Sequence, residues 1–119
     1  MLPHSGDDSI YPDTIAPPVD KSVYVKRLTF VKSLGFQFVR CHSHILPDEY
    51  FEAAAEVGVL VSAEFPMIYG AATGTCPAKV GANTTGCDAS LTEAWIATVK
   101  RLRNFPSVFD YTMDNEDIK

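Results

Sequence analysis

The chain has 119 residues, 46% of them hydrophobic and 21% charged, which suits one buried core and excludes a disordered or collagen-like polymer. Ten basic against fifteen acidic residues give a net charge of −5, with no basic cluster, so neither nucleic acid nor an anionic membrane is an expected partner. A small neutral or polyhydroxylated ligand fits that balance better, no apolar run approaches the roughly 20 residues of a membrane span, and three cysteines are too few for a disulfide scaffold.

Residues 1–20 carry Pro3, Pro12, Pro17 and Pro18 without helical or strand periodicity and are expected to be an irregular loop. Asp20 is a helix N-cap by residue type, and Tyr24, Leu28, Val31 and Gly35 follow at the spacing of one helix face, predicting a helix over about 21–34. Phe36-Gln37-Phe38-Val39-Arg40 is a short aromatic and β-branched run that suits a buried strand, with Arg40, His42 and His44 at its exit. The unit repeats. Pro47-Asp48 opens a second helix through Phe51, Ala54 and Ala55 to Gly58, and Val59 to Ala63 reads as a second buried strand that delivers Glu64.

Residues 65–89 form a long connection at a strand exit, the kind of insertion that often shapes a site. It holds Cys76 and Cys87, able to pair in an oxidising compartment, and the glycosylation triplet Asn83-Thr84-Thr85; neither fixes the localisation, which stays open. Ser90-Leu91-Thr92-Glu93 has the capping-box pattern, so a third helix is expected to start there, with Leu91, Trp95, Thr98 and Leu102 on its buried face. A third strand, about 108–113, leads to Asp114-Asn115-Glu116.

Three alternations of helix and strand predict an α/β fold with a parallel sheet and right-handed crossovers. In such folds ligands gather beyond the carboxyl ends of the strands, and Arg40/His42/His44, Glu64 and Asn115/Glu116 stand at those three ends. A closed (β/α)₈ barrel takes about 250 residues, so three to four units of a partial TIM barrel, in a single domain over 1–119, are expected. Its unpaired sheet edges predict self-association.

The run Lys32-Ser33-Leu34-Gly35-Phe36-Gln37-Phe38-Val39-Arg40, with Ser43-His44 and Pro47, resembles the second barrel strand of glycoside hydrolase family 2. Tyr50 through Val61 with Glu64 resembles that family's next helix and strand, Trp95 through Val108 resembles the approach to its fourth strand, and Tyr111-Thr112-Met113-Asp114-Asn115-Glu116 is similar to its Trp-Ser-x-Gly-Asn-Glu signature. The resemblance covers about 24–116. It implies a retaining hydrolase of β-glycosides that needs no cofactor or metal, with a carbohydrate substrate. Glu116 would be the general acid/base, Asn115 would hold the sugar 2-hydroxyl, Arg40 would orient the catalytic carboxylates and His44 would touch the sugar. Asp114 stands at the signature's glycine, Phe105 at the histidine of Asn-His-Pro, and Ala55 at an aspartate, and one extra residue separates Arg40 from His44. The family's nucleophile belongs to the seventh strand, which has no match here, so the 119 residues alone are expected to be inactive.

Retaining hydrolysis needs two carboxyl groups about 5–5.5 Å apart, and an acid that works near neutral pH only if burial or a neighbouring carboxylate raises its pKa. Glu64 is open to two roles, a second carboxylate or the salt-bridge partner of Arg40. Trp95, Tyr69 and Tyr111 can stack on a sugar ring, although Trp95 also fits the core. Two further readings stay open: a metal-dependent hydrolase built on His42 and His44 with Asp7, Asp8 or Asp114, and a non-catalytic barrel segment that binds sugar or a partner chain.

Overall fold

A computed structural model describes residues 5–7, 17–42, 44–66 and 84–113. In chain order these form β1 (Ser5–Asp7), α1 (Lys21–Ser33), β2 (Phe38–Cys41), α2 (Asp48–Val57), β3 (Leu60–Glu64), α3 (Thr84–Leu102) and β4 (Val108–Thr112). Among the described residues no helix is long and apolar enough to cross a membrane.

The helix ends follow from local chemistry. Asp20 sits in extended backbone and its carboxylate accepts the Ser22 N–H at 2.9 Å, satisfying a donor that the first turn of α1 leaves without an intrahelical acceptor. That bond favours the ionised form and holds the Asp20 carboxyl below its ordinary pKa. Tyr24 and Leu28 turn inward and are fully buried, and the Tyr24 hydroxyl donates to the Pro18 carbonyl at 2.8 Å, tying the incoming chain to the helix. α2 opens after Pro47, with Asp48 and Glu49 in the first turn where the helix dipole favours negative charge. It ends at Gly58, whose φ of +76° is a left-handed conformation costly for other residues, and the Gly58 N–H closes the last turn on Ala54 O at 2.9 Å. Lys32 Nζ donates to Val57 O at 2.5 Å, joining the last turns of α1 and α2.

All strands are parallel and adjacent in sequence order, β1-β2-β3-β4. Right-handed crossovers that always advance in one direction deposit every helix on the same face of the sheet. Strand alternation shows which face that is. Val39 and Cys41 of β2 and Val61 and Ala63 of β3 are buried in one cluster with Tyr24, Leu28, Tyr50, Phe51, Ala53 and Ala54 from the helices. Tyr50 packs edge-on against both Tyr24 (5.5 Å between centroids) and Phe51 (5.8 Å) at the centre of that cluster. Past α3, Phe105 packs on Phe51, and the buried Ser107 hydroxyl donates to Phe51 O at 2.7 Å, which fixes the entry into β4. Arg101 near the end of α3 pairs with Asp48 and also donates to Leu46 O, holding that end over the start of α2.

The opposite face carries Phe38 and Arg40 of β2, Leu60, Ser62 and Glu64 of β3, and Phe109, Asp110 and Thr112 of β4. No described helix covers it: Leu60 is 43% and Phe109 51% exposed. The β3–β4 register slips once, from Val61↔Val108 to Ser62↔Asp110, so Phe109 is an extra residue in β4.

Two sequence expectations are corrected. Residues 5–7, placed within an irregular loop over 1–20, form β1, which pairs with β2 from Ser5↔Phe38 to Asp7↔Arg40; Ser-Gly-Asp has little intrinsic strand preference and is a strand because β2 offers it an edge. The third helix starts at Thr84, inside the stretch read as a connection to residue 89, and Ser90-Leu91-Thr92-Glu93 is helix interior. A capping-box pattern four residues long also occurs where an unbroken helix runs through it, and here the earlier start wins.

Candidate functional site at the strand exits

β2 and β3 run side by side with Arg40 opposite Ser62 and Cys41 opposite Ala63, so Arg40 and Glu64 leave the same face close to the carboxyl ends of neighbouring strands. Arg40 Nε donates to Glu64 Oε2 at 2.5 Å. The Glu64 side chain is 0% exposed while that of Arg40 is 37% exposed, so a fully enclosed carboxylate is balanced by a cation that still reaches solvent. On its other side, His42 Nδ1 lies 3.4 Å from Glu64 Oε1 but out of line for a hydrogen bond. Glu64 is therefore the salt-bridge partner of Arg40. Enclosing a carboxylate costs several kcal/mol that an apolar side chain at the same place would not incur.

His44, on the turn after β2, directs Nδ1 to the carbonyl of His42 at 2.6 Å. That contact uses one ring nitrogen of His44 locally. Among the described residues no group of three or more His, Cys, Asp or Glu side chains is placed to hold a metal.

A second polar cluster lies beside the ion pair on the uncovered face. Ser62 donates to Asp110 Oδ2 at 2.6 Å, Thr112 Oγ1 donates to the same oxygen at 3.2 Å, and the Ser62 and Thr112 hydroxyls are 3.2 Å apart. Sequence reasoning missed this group because Ser62 and Asp110 each interrupt a run read as a buried apolar strand. The available signal was parity: Arg40, Ser62 and Glu64 alternate with Val39, Val61 and Ala63, which is what a sheet with one apolar and one polar face requires.

Trp95 packs edge-on between Phe65 and Tyr111, at 5.5 and 6.4 Å, and Tyr111 also packs against the buried cluster. Both rings belong to the helix-covered side, which agrees with the core reading of Trp95 and corrects the reading of Tyr111 as a sugar-stacking group. Asp8, Tyr69, Cys76, Asp114, Asn115 and Glu116 lie outside the described residues, as do the side chains of Asp7 and Cys87. Cys41 is buried in the cluster between the sheet and the helices.

No protein-family model matches the chain, and no curated protein sequence does. Solved structures do. The exo-chitosanase of Amycolatopsis orientalis in complex with PNP-β-D-glucosamine matches with a TM-score of 0.69 at 23% identity over 94% of this chain and 13% of its own. A β-glucuronidase from an uncultured Clostridium sp. matches at 0.66 and 21% identity, covering 83% of this chain and 17% of that one. The β-glucuronidase of Parabacteroides merdae matches at 0.64 and 17% identity, covering 83% and 11%. The chain thus spans well under a fifth of the length of each of these proteins. Likeness at these identities speaks for backbone alone: the parallel sheet with helices on one face is a portion of a fold used by glycoside hydrolases.

Proposed function

We propose that these residues form part of the catalytic (β/α)₈ barrel of a retaining β-glycosidase of the family 2 type, contributing the rim at the exits of four neighbouring strands. The observation that carries this reading is the enclosed Glu64 carboxylate held by Arg40 at the carboxyl end of a sheet whose solved likenesses include glucuronidases and a chitosanase. A fixed guanidinium–carboxylate pair at that level orients hydroxyl and carboxyl groups arriving at the strand exits.

In this reading Glu116 protonates the leaving oxygen and later deprotonates water, Asn115 takes the sugar 2-hydroxyl, Arg40 fixes the direction of the carboxylates, and His44 contacts the sugar. Glu64 neutralises Arg40 and keeps it from swinging into solvent. Attack on the anomeric carbon needs a second carboxylate about 5–5.5 Å from Glu116, for which the 119 residues offer no match to the family's nucleophile.

The test has a binding arm and a turnover arm. Titrating the ¹⁵N-labelled chain with glucuronic acid, glucosamine, galactose or mannose should shift the amides of Arg40 to His44 and of Glu64 for at least one sugar. Shifts confined to the outer surface of α1, or none at tens of millimolar, overturn the proposal. Four-nitrophenyl β-glycosides of the same sugars should not be turned over. Turnover abolished by Glu116→Gln would show that the chain holds its own second carboxylate and would overturn its assignment as half a site.

A further inference from the structure

His42, the residue that follows the last position of β2, is held at two points. Its carbonyl accepts from His44 Nδ1 at 2.6 Å, and because a carbonyl oxygen only accepts, that nitrogen of His44 carries its proton. Its ring is set by Glu64: Nδ1 lies 3.4 Å from Oε1, while Oε2 of the same carboxylate takes Arg40 Nε. Glu64 is fully enclosed, and His42 Nδ1 is sealed from solvent without a hydrogen bond, although the His42 side chain as a whole is 36% exposed. The sealed part of the ring is thus the nitrogen facing the carboxylate. The part that reaches solvent is the opposite edge, with Nε2.

A neutral imidazole carries one ring proton, and its two tautomers meet Glu64 differently. With the proton on Nδ1, an N–H dipole faces a negative charge, and a small turn of the ring completes the hydrogen bond. With the proton on Nε2, the Nδ1 lone pair faces a carboxylate oxygen where little water screens the repulsion. The carboxylate therefore selects the Nδ1–H form, as a carboxylate behind a working histidine does in acid–base and metal sites. Nε2 keeps its lone pair and points away from the enclosed side, at the exit of β2. Arg40 and His42 lean on the two oxygens of one carboxylate, so a guanidinium that only donates stands beside an imidazole nitrogen that accepts. A hydroxyl uses both, because its oxygen accepts while its proton is given. A carboxylate has no proton to give to Nε2.

We infer that His42 is a specificity-determining residue: held as Nδ1–H by Glu64, it offers Nε2 as the acceptor for a hydroxyl of a polyhydroxylated ligand at the exit of β2. The inference rests on the sugar-site reading given above and adds the hydrogen-bonding character which that site demands. Four residues of sequence, Arg40 to Ser43, bring no such role into view, because the tautomer is decided by Glu64 on the next strand.

Two-bond ¹H–¹⁵N correlation spectra of the ¹⁵N-labelled chain at alkaline pH, with the imidazoles neutral, place the ring proton without any variant. The expected result is a protonated Nδ1 and a bare Nε2 for His42, with the Nε2 resonance moving toward that of a hydrogen-bonded acceptor as galactose or mannose is added. Two substitutions separate contact with ligand from support of Glu64. His42→Gln puts an amide oxygen close to the place of Nε2 and should keep the sugar affinity within about threefold, whereas His42→Asn keeps an amide near Nδ1 only and should lose about tenfold. A purely structural histidine gives the reverse order, since Asn preserves the contact with Glu64. Far-UV circular dichroism checks the fold of both variants, and the spectra of the unmutated chain decide the matter if either fails to fold. A proton on Nε2, a ring nitrogen that stays still while the Arg40 to His44 amides answer the sugar, or the reversed order of variants overturns the inference and leaves the glycosidase reading standing. No amide response to any sugar sinks that reading, and this contact with it.

Discussion

At the scale of single residues, the unequal exposure of the two charges in the Arg40–Glu64 pair has a measurable effect. Removing the cation leaves an enclosed carboxylate without its guanidinium, whereas removing the negative charge leaves a guanidinium that is already 37% exposed and can be solvated. Arg40→Ala is therefore expected to cost about 3 kcal/mol of folding stability. Glu64→Gln, which keeps an acceptor oxygen for Nε, should cost only about 1 kcal/mol. Urea unfolding of the two variants checks the order, and equal losses would mean that the carboxylate is better hydrated than its burial shows. The Ser62–Asp110–Thr112 cluster has the same design on a smaller scale, since its buried member is a hydroxyl and its charged member stands in solvent. That difference also explains what was legible. Arg40, His42, His44 and Glu64 could be found from sequence because they sit where strands end, while the Ser62–Asp110 contact depends on a strand register that no local pattern fixes.

At the scale of elements, α1 and α2 were readable because their ends are written in local chemistry: Asp20 and Gly35 for one, Pro47 and Gly58 for the other. The cap also carries a pH signature. Its bond to the Ser22 N–H lowers the folded-state pKa of Asp20, so the stability it adds is complete above the unfolded value of about 3.9 and fades as the pH falls through the lower, folded value. Asp20→Asn keeps a capping oxygen but loses the titration. The stability difference between wild type and Asp20→Asn is accordingly expected to shrink between pH 7 and pH 3, as read from urea midpoints; a gap that widens on acidification would contradict the cap's charge dependence. By contrast, β1 and the start of α3 were illegible because neither is specified locally. Ser5-Gly6-Asp7 takes its conformation from hydrogen bonds offered by β2, and Thr84-Thr85-Gly86 contains a residue of low helix propensity that carries no start signal.

At the scale of the whole molecule, one-directional strand order places the helices on one side and leaves the other side with polar exits above an aromatic floor. The slip at Phe109 acts on this same scale. Side chains alternate along a strand, so one inserted residue inverts the direction of everything that follows it. Because of that insertion, Tyr111 reaches the helices and Thr112 the open side; take it out, and the two would trade places, along with whatever leaves β4 next. The directions in which Tyr111 and Thr112 leave the sheet are thus inherited from a single extra residue, and that residue's own ring lies in the floor beside Phe38.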